Sequence, residues 1–179
     1  NIDRAYEVKT LNKSYMDEKI DEVTSLTSHM SNTIEDFRNF FKIDKNKTEF
    51  FIEDSIQDVL ELMSHSLKEV DVSYEGDKSL QLVSYRGELV QVMIALLSNA
   101  IEILSIKKIK NKKITVLLQN RENSIEISVQ DNAGGVAKED IQRIFDPYFT
   151  TKHQLGGTGL GLYISKLIIE QNMKGTLNV

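Results

Sequence analysis

The sequence predicts an α+β protein: a two-layer α/β sandwich preceded by a long bundle helix. Helical and strand periodicities alternate in an irregular order from about residue 47 onward, which disfavours a doubly wound parallel sheet. Several of the strand candidates are short and alternate between apolar and polar residues. Ahead of them runs a narrow heptad seam rather than a broad apolar face.

That seam is Met16, Ile20, Val23, Thr27, Met30, Ile34, Phe37 and Phe41, spaced alternately four and three apart. A helix of roughly 26 residues would span about 39 Å, too long to be packed by a small domain alone. It calls for partner helices. The polar run Asp44-Lys45-Asn46-Lys47-Thr48 marks a linker, so the chain divides into a partial helical segment, 1–46, and a globular domain, 47–179. Phe51, Ile52, Ile56, Val59, Leu60 and Met63 then predict a second amphipathic helix, with Leu67 extending it.

Val70–Tyr74 and Leu80–Val83 read as short strands around a Gly-Asp turn. Leu89, Met93, Leu96, Leu97, Ala100 and Leu104 define a third helix. Ile114–Leu118 is a mostly buried strand. Ile125, Ile127 and Val129 alternate with polar residues on the next strand, across a turn at Asn120–Asn123. A last helix carries Leu160, Ile164, Leu167 and Ile168, and Thr176–Val179 reads as part of a further strand, as if the sequence were a fragment.

Composition removes several functional classes. With 22 Lys plus Arg against 27 Asp plus Glu, the net charge of -5 gives no electrostatic drive toward nucleic acid or an anionic membrane. The absence of cysteine removes disulfides, thiolate chemistry and Cys-based zinc sites. No apolar run is read as approaching the ~20 residues of a membrane helix, and Asn1–Thr10 is unlike a signal peptide. A cytoplasmic setting is the expectation. His29, His65 and His153 are too widely separated in sequence to form a local metal motif.

Four clusters carry chemistry. Asp131-Asn132-Ala133-Gly134-Gly135 follows the alternating strand. A carboxylate there can accept a hydrogen bond from an exocyclic amine, and the glycines permit positive φ beside a flat ring. Taken alone, the segment is equally a β-turn. Gly156-Gly157-Thr158-Gly159-Leu160-Gly161 opens the last helix, where small residues expose backbone N–H groups to a phosphate. It has neither Rossmann nor P-loop spacing, and in isolation could be a mobile hinge. Asn99 sits within Leu96–Glu102, a strong helix in which asparagine is a mediocre former. Its carboxamide oxygen suits Mg²⁺, although a lone asparagine is more often solvated or capping. Phe145–Lys152 joins three aromatics and the chain's one proline to Thr150-Thr151-Lys152, a segment that can dock by its rings and present a cation.

In this order, Asn99, Asp131–Gly135, Phe145–Lys152 and Gly156–Gly161 resemble the N, G1, F and G2 boxes of sensor histidine kinases of two-component systems, in the GHKL superfamily. The resemblance runs from about Phe50 to the C-terminus, and Met16–Lys42 looks like the second helix of the dimerisation bundle. It implies a Bergerat-type ATP-binding fold. It further implies that Asp131 reads the adenine amine and that Asn99 coordinates Mg²⁺. Gly157, Gly159 and Gly161 would let the backbone wrap the triphosphate. Gly135, Thr151, Lys152, Thr158 and Leu160 complete the implied ATP site, with a lid from about Ala137 to Thr158.

The implied activity is transfer of the ATP γ-phosphoryl group to a histidine on a dimerisation helix, then relay to a response-regulator aspartate. The implied partners are ATP and ADP, a receiver domain and a second copy of the parent chain. His29, His65 and His153 lack the acceptor pattern, so this segment by itself is expected to bind ATP without autophosphorylating. Three departures stand out: Ala95 where many kinases carry a second asparagine, Glu102 where many carry lysine, and Ala133 in place of a common glycine. Gyrase-like ATPases place a water-activating glutamate at the position of Ala95. An anti-sigma serine kinase would not need the heptad helix. A nucleotide-binding pseudokinase, a dimeric interaction module without phosphotransfer, remains as the alternative from another class.

Overall fold

The structure is a computed structural model of the chain, and it describes residues 12–21, 23–24, 27, 46–151 and 158–179. The N-terminal helix begins at residue 13, earlier than the seam suggests. Asn12 caps it, its side-chain oxygen accepting the Tyr15 N–H at 2.9 Å. Two seam residues, Ile20 and Val23, stand 56% and 59% exposed. Met30, Ile34, Phe37 and Phe41 lie outside the described residues.

The sandwich consists of strand β1 (Thr48–Phe51), helix α1 (Ile52–Leu62), strands β2 (Asp71–Gly76) and β3 (Gln81–Ser84), helix α2 (Arg86–Ile106), strands β4 (Lys113–Arg121) and β5 (Ser124–Asp131), and helix α3 (Gly161–Leu167). A π-helical turn, Ile168–Asn172, continues α3. The main sheet has the order β2-β4-β5, and β1 and β3 form a separate antiparallel pair.

Strand β1 corrects the sequence reading, which had assigned Thr48 to a linker and Phe51 to a helix. Four residues with one buried side chain, Phe50, show no usable periodicity; pairing with β3 holds them extended. Helix α1 also stops at Leu62, and Leu67 reaches the core from the turns that follow. The two strands read around Gly76-Asp77 do not pair with each other. Strand β2 runs parallel to β4, whereas β3 leaves to join β1. Gly76 permits the close pairing of β2 with β4: a Cβ there would stand 2.4 Å from the Leu118 carbonyl oxygen. Asp77 then accepts both the amide and the hydroxyl of Ser79, at 2.9 and 2.6 Å, in a tight turn. These hydrogen bonds, the hydroxyl's first, hold the Asp77 carboxyl below its ordinary range.

The β4–β5 hairpin follows its pattern closely, with Arg121 opposite Ser124 and Ile114 opposite Asp131. Ile114, Val116 and Leu118 point inward from β4. No regular element forms over residues 174–179, where a strand was expected.

Helix α2 is the central element. Leu89, Met93, Leu97, Ala100 and Leu104 join the core formed with α1 and the main sheet. Val92 and Leu96 pack against Leu160, Ile164 and Ile168 in a second cluster. By length and composition α2 could cross a membrane, with mean hydropathy 1.9 in an 18-residue window of its 21 residues, which corrects the expectation that no run approaches that length. Packing on two sides accounts for its apolarity without a membrane. Replacing the fully buried Leu97 by alanine is expected to cost about 2–5 kcal/mol in urea denaturation, whereas Val83→Ala, on the outer face of β3, should cost under about 1 kcal/mol.

Candidate functional site

Strand β5 ends on Asp131, half-buried, and the chain then turns sharply. One Asp131 oxygen, Oδ1, accepts the Ala133 N–H at 2.7 Å. A carboxylate offers two oxygens, so an acceptor remains to meet a donor from outside the turn. Asn132 fastens the same turn to β4: its Oδ1 accepts the Lys113 N–H at 2.9 Å, and its Nδ2 donates to the Asn111 carbonyl at 2.8 Å.

Ala133 is buried and joins the main core. Among the described residues the non-glycine positive φ values belong to Lys108, Tyr148 and Lys174, so Ala133 carries no left-handed strain where a glycine is common. Gly134 and Gly135 do adopt positive φ, +92° and +75°, and a Cβ on either would meet nothing within 4 Å. Conformation, rather than crowding, therefore asks for glycine at these two positions.

Asn99 lies half-buried on α2. Its Nδ2 sits 4.0 Å from the point where a Cβ on Gly161 would stand, so it abuts the start of α3. Ala95 and Glu102 follow the same stripe of α2, one turn on either side. Residues 137–151 form a succession of turns, with the Ile141 and Ile144 amides donating to Ala137 and Asp140 carbonyls. Two cations hold the aromatics of this segment: the Arg143 guanidinium lies 4.6 Å from the Phe149 ring and Lys166 Nζ 4.7 Å from the Phe145 ring. An open cleft of about 570 Å³ is bounded by this segment, from Asp140 to Thr151, but neither Asn99 nor Asp131 lines it.

Gly159 binds the segment to the α3 N-terminus. At φ +67°, a Cβ on it would fall 2.5 Å from the Tyr148 carbonyl carbon and 2.7 Å from the Phe149 oxygen. Leu160 is buried in the second core, and Thr158 and Gly161 are half-buried beside it. Thr151 is exposed; Lys152, Gly156 and Gly157 lie outside the described residues. Of the histidines, His65 is exposed on the turns after α1, and His29 and His153 also lie outside the described residues.

The structure thus joins Asn99 to Gly161, and Gly159 to the Tyr148-Phe149 backbone. Helix α2 links the acidic turn to the glycine segment: from Asn99 it runs eight residues, about 12 Å, to Lys107. There Lys107 Nζ donates to the Ala133 carbonyl at 2.7 Å. Sequence reasoning missed the Lys107 contact and the Asn132 clip, because they span 19 to 26 residues and follow no local period. It also missed the positive φ of Tyr148, 64°, which has no signature in composition.

A helix bearing an amide toward the start of a later helix, and a strand ending in a carboxylate followed by a turn with two glycines, belong here to one α+β sandwich. The comparisons agree. Residues 85–179 match the family of histidine kinase-, DNA gyrase B- and HSP90-like ATPases, and the chain belongs to that family. Sporulation kinase A of Bacillus subtilis (strain 168) is 33% identical over 110 residues, 62% of this chain and 17% of that protein. The catalytic domain of histidine kinase ThkA, in a nucleotide-free form, superposes with a TM-score of 0.63 at 32% identity, covering 71% of this chain and 82% of that one. Histidine kinase ThkA solved in complex with response regulator protein TrrA matches at 26% identity and a TM-score of 0.63, covering 92% of this chain and 47% of that one. The chain spans less than a third of the length of the curated relatives it matches, 17% for sporulation kinase A and 27% for the sensor histidine kinase ZraS of Escherichia coli.

The two glycine classes should separate on substitution. Gly134→Ala meets open space, and its strain of about 1 kcal/mol should lower the melting temperature by a few degrees. Gly159→Ala adds a clash with the Tyr148-Phe149 backbone, so a clearly larger drop in thermal melting is expected.

Proposed function

We propose that residues 47–179 are the catalytic ATP-binding domain of a sensor histidine kinase, and that residues 1–46 contribute part of its dimerisation bundle. The observation that carries this reading is the linkage through α2, which sets Asn99 against Gly161 and tethers the Asp131–Gly135 turn by Lys107. Asp131 accepts the exocyclic amine of adenine with the oxygen not engaged by Ala133. Gly134 and Gly135 leave open space for the ring. Gly159 and Gly161 let backbone amides approach the triphosphate, with Thr151 and Thr158 as further contacts; Gly157 and Lys152, outside the described residues, are given the same role on the resemblance alone.

The donor set fits Mg²⁺ held chiefly by phosphate and water. Among the described residues no cluster of three His, Asp or Glu could cage a metal, and Asn99 offers a neutral oxygen suited to that ion. When bound, Mg²⁺ would neutralise phosphate charge, and the chain's own residues would orient the nucleotide. The acceptor is a histidine on a bundle helix, and a response-regulator receiver domain takes the phosphoryl group onward. The parent works as a homodimer in the cytoplasm, with the open seam at Ile20 and Val23 as its bundle face. Ala95 supplies no base to activate water, which favours transfer over hydrolysis. Similarity to histidine kinase catalytic domains at 32% identity disfavours the pseudokinase alternative.

Calorimetric titration with MgATP is expected to give saturable binding to the chain and at least about tenfold weaker binding to Asp131→Asn, which loses a charged acceptor. Equal affinity in the two proteins would remove Asp131 from the adenine site. With γ-labelled ATP the chain alone should acquire no label, whereas a supplied acceptor-helix fragment should; label on the chain itself would overturn the assignment of His29, His65 and His153 as non-acceptors.

A further inference from the structure

The Gly134-Gly135 step leaves the acidic turn without steric support, since a Cβ at either position would meet nothing within 4 Å. Such a turn samples many conformations unless hydrogen bonds restrain it. Asn132 supplies one restraint through its bonds to Lys113 and Asn111, and Ala133 is the residue through which a second is applied. Its methyl is buried in the main core, its N–H goes to Asp131, and its carbonyl accepts from Lys107 Nζ at 2.7 Å. Lys107 is itself the C-cap of α2, where a cation is favoured by the carbonyl end of the helix. Its backbone amide donates to the Ile103 carbonyl at 2.9 Å, so the base of the side chain is fixed as well as its tip.

We propose that Lys107 is a positioning residue for base specificity: by holding the Ala133 carbonyl it sets the direction of the Asp131 carboxylate and thereby the preference for adenine over guanine. The proposal rests on the reading of Asp131 as the adenine acceptor. Adenine presents an amine at the edge where guanine presents a carbonyl oxygen. A correctly aimed carboxylate therefore favours the first and repels the second, and a loosened one does neither well. Lys107 touches neither base; it acts through the turn.

The test compares ATP and GTP binding by calorimetry in the chain, in Lys107→Met, which keeps the stem and removes the donor, and in Lys107→Arg, which retains a charged donor. Lys107→Met should bind ATP about tenfold more weakly with little change for GTP, so that the ATP:GTP preference falls by about the same factor. Lys107→Arg should recover most of that preference. In an Asp131→Asn background, Lys107→Met should change ATP affinity by less than about twofold, because two residues acting through one contact are not additive. Because the preference is a ratio measured on one protein, a general loss of stability cancels from it.

An unchanged preference in Lys107→Met, an equal loss for both nucleotides, or full additivity with Asp131→Asn would each overturn the role of Lys107 while leaving the adenine site standing. Failure of the unsubstituted chain to bind ATP, or indifference of its binding to Asp131→Asn, would remove the adenine reading and this inference together.

Discussion

Helix α2 must bury two faces at once, and the rest of the structure follows from that requirement. One stripe, from Leu89 through Leu97 to Leu104, closes the core over β4 and α1. Another, Val92 and Leu96, receives Leu160, Ile164 and Ile168 from the last helix. A helix with only one apolar stripe would cover the sheet and leave α3 without a seat. With two, α2 becomes the common support for elements that come from distant parts of the chain. Asn99 is half-buried beside Gly161 on this support, and Lys107, at its end, reaches the turn after β5.

The site therefore inherits its geometry from packing rather than from its own contacts. Asp131 ends a strand whose register is set by the apolar alternation of β5 against β4. The glycine segment is fixed at Gly159 by close approach to the Tyr148-Phe149 backbone, while Leu160 inserts into the second core. Among the described residues between these anchors, 138–151 is a run of turns and bends in which Arg143 lies over the Phe149 ring and Lys166 over the Phe145 ring.

Much of the site was legible because its residue types are unusual for their settings. An asparagine inside a strong helix, a carboxylate followed by glycines at a strand end, and a glycine run opening a helix each call for a reason beyond propensity. Their order along the chain gave the resemblance to histidine kinases, and the family match over residues 85–179 agrees with it. The elements misjudged were short or held by distant partners. Strand β1 has four residues and one buried side chain, too few to show a period. Strands β2 and β3 lie close in sequence around a glycine, the usual sign of a hairpin, yet Gly76 serves close passage over Leu118 instead.

The sequence by itself determined the α+β class, the helices with a clear apolar stripe, the β4–β5 hairpin and the residues that could meet a nucleotide, because periodicity and residue chemistry are local properties. Only the tertiary structure decided that β2 runs parallel to β4, that Ala133 fits where a glycine is common, and that Lys107 and Asn132 secure the acidic turn. Those outcomes depend on which groups meet across about nineteen or more residues of chain. Such meetings are selected by burial of the whole core, and no local pattern records them.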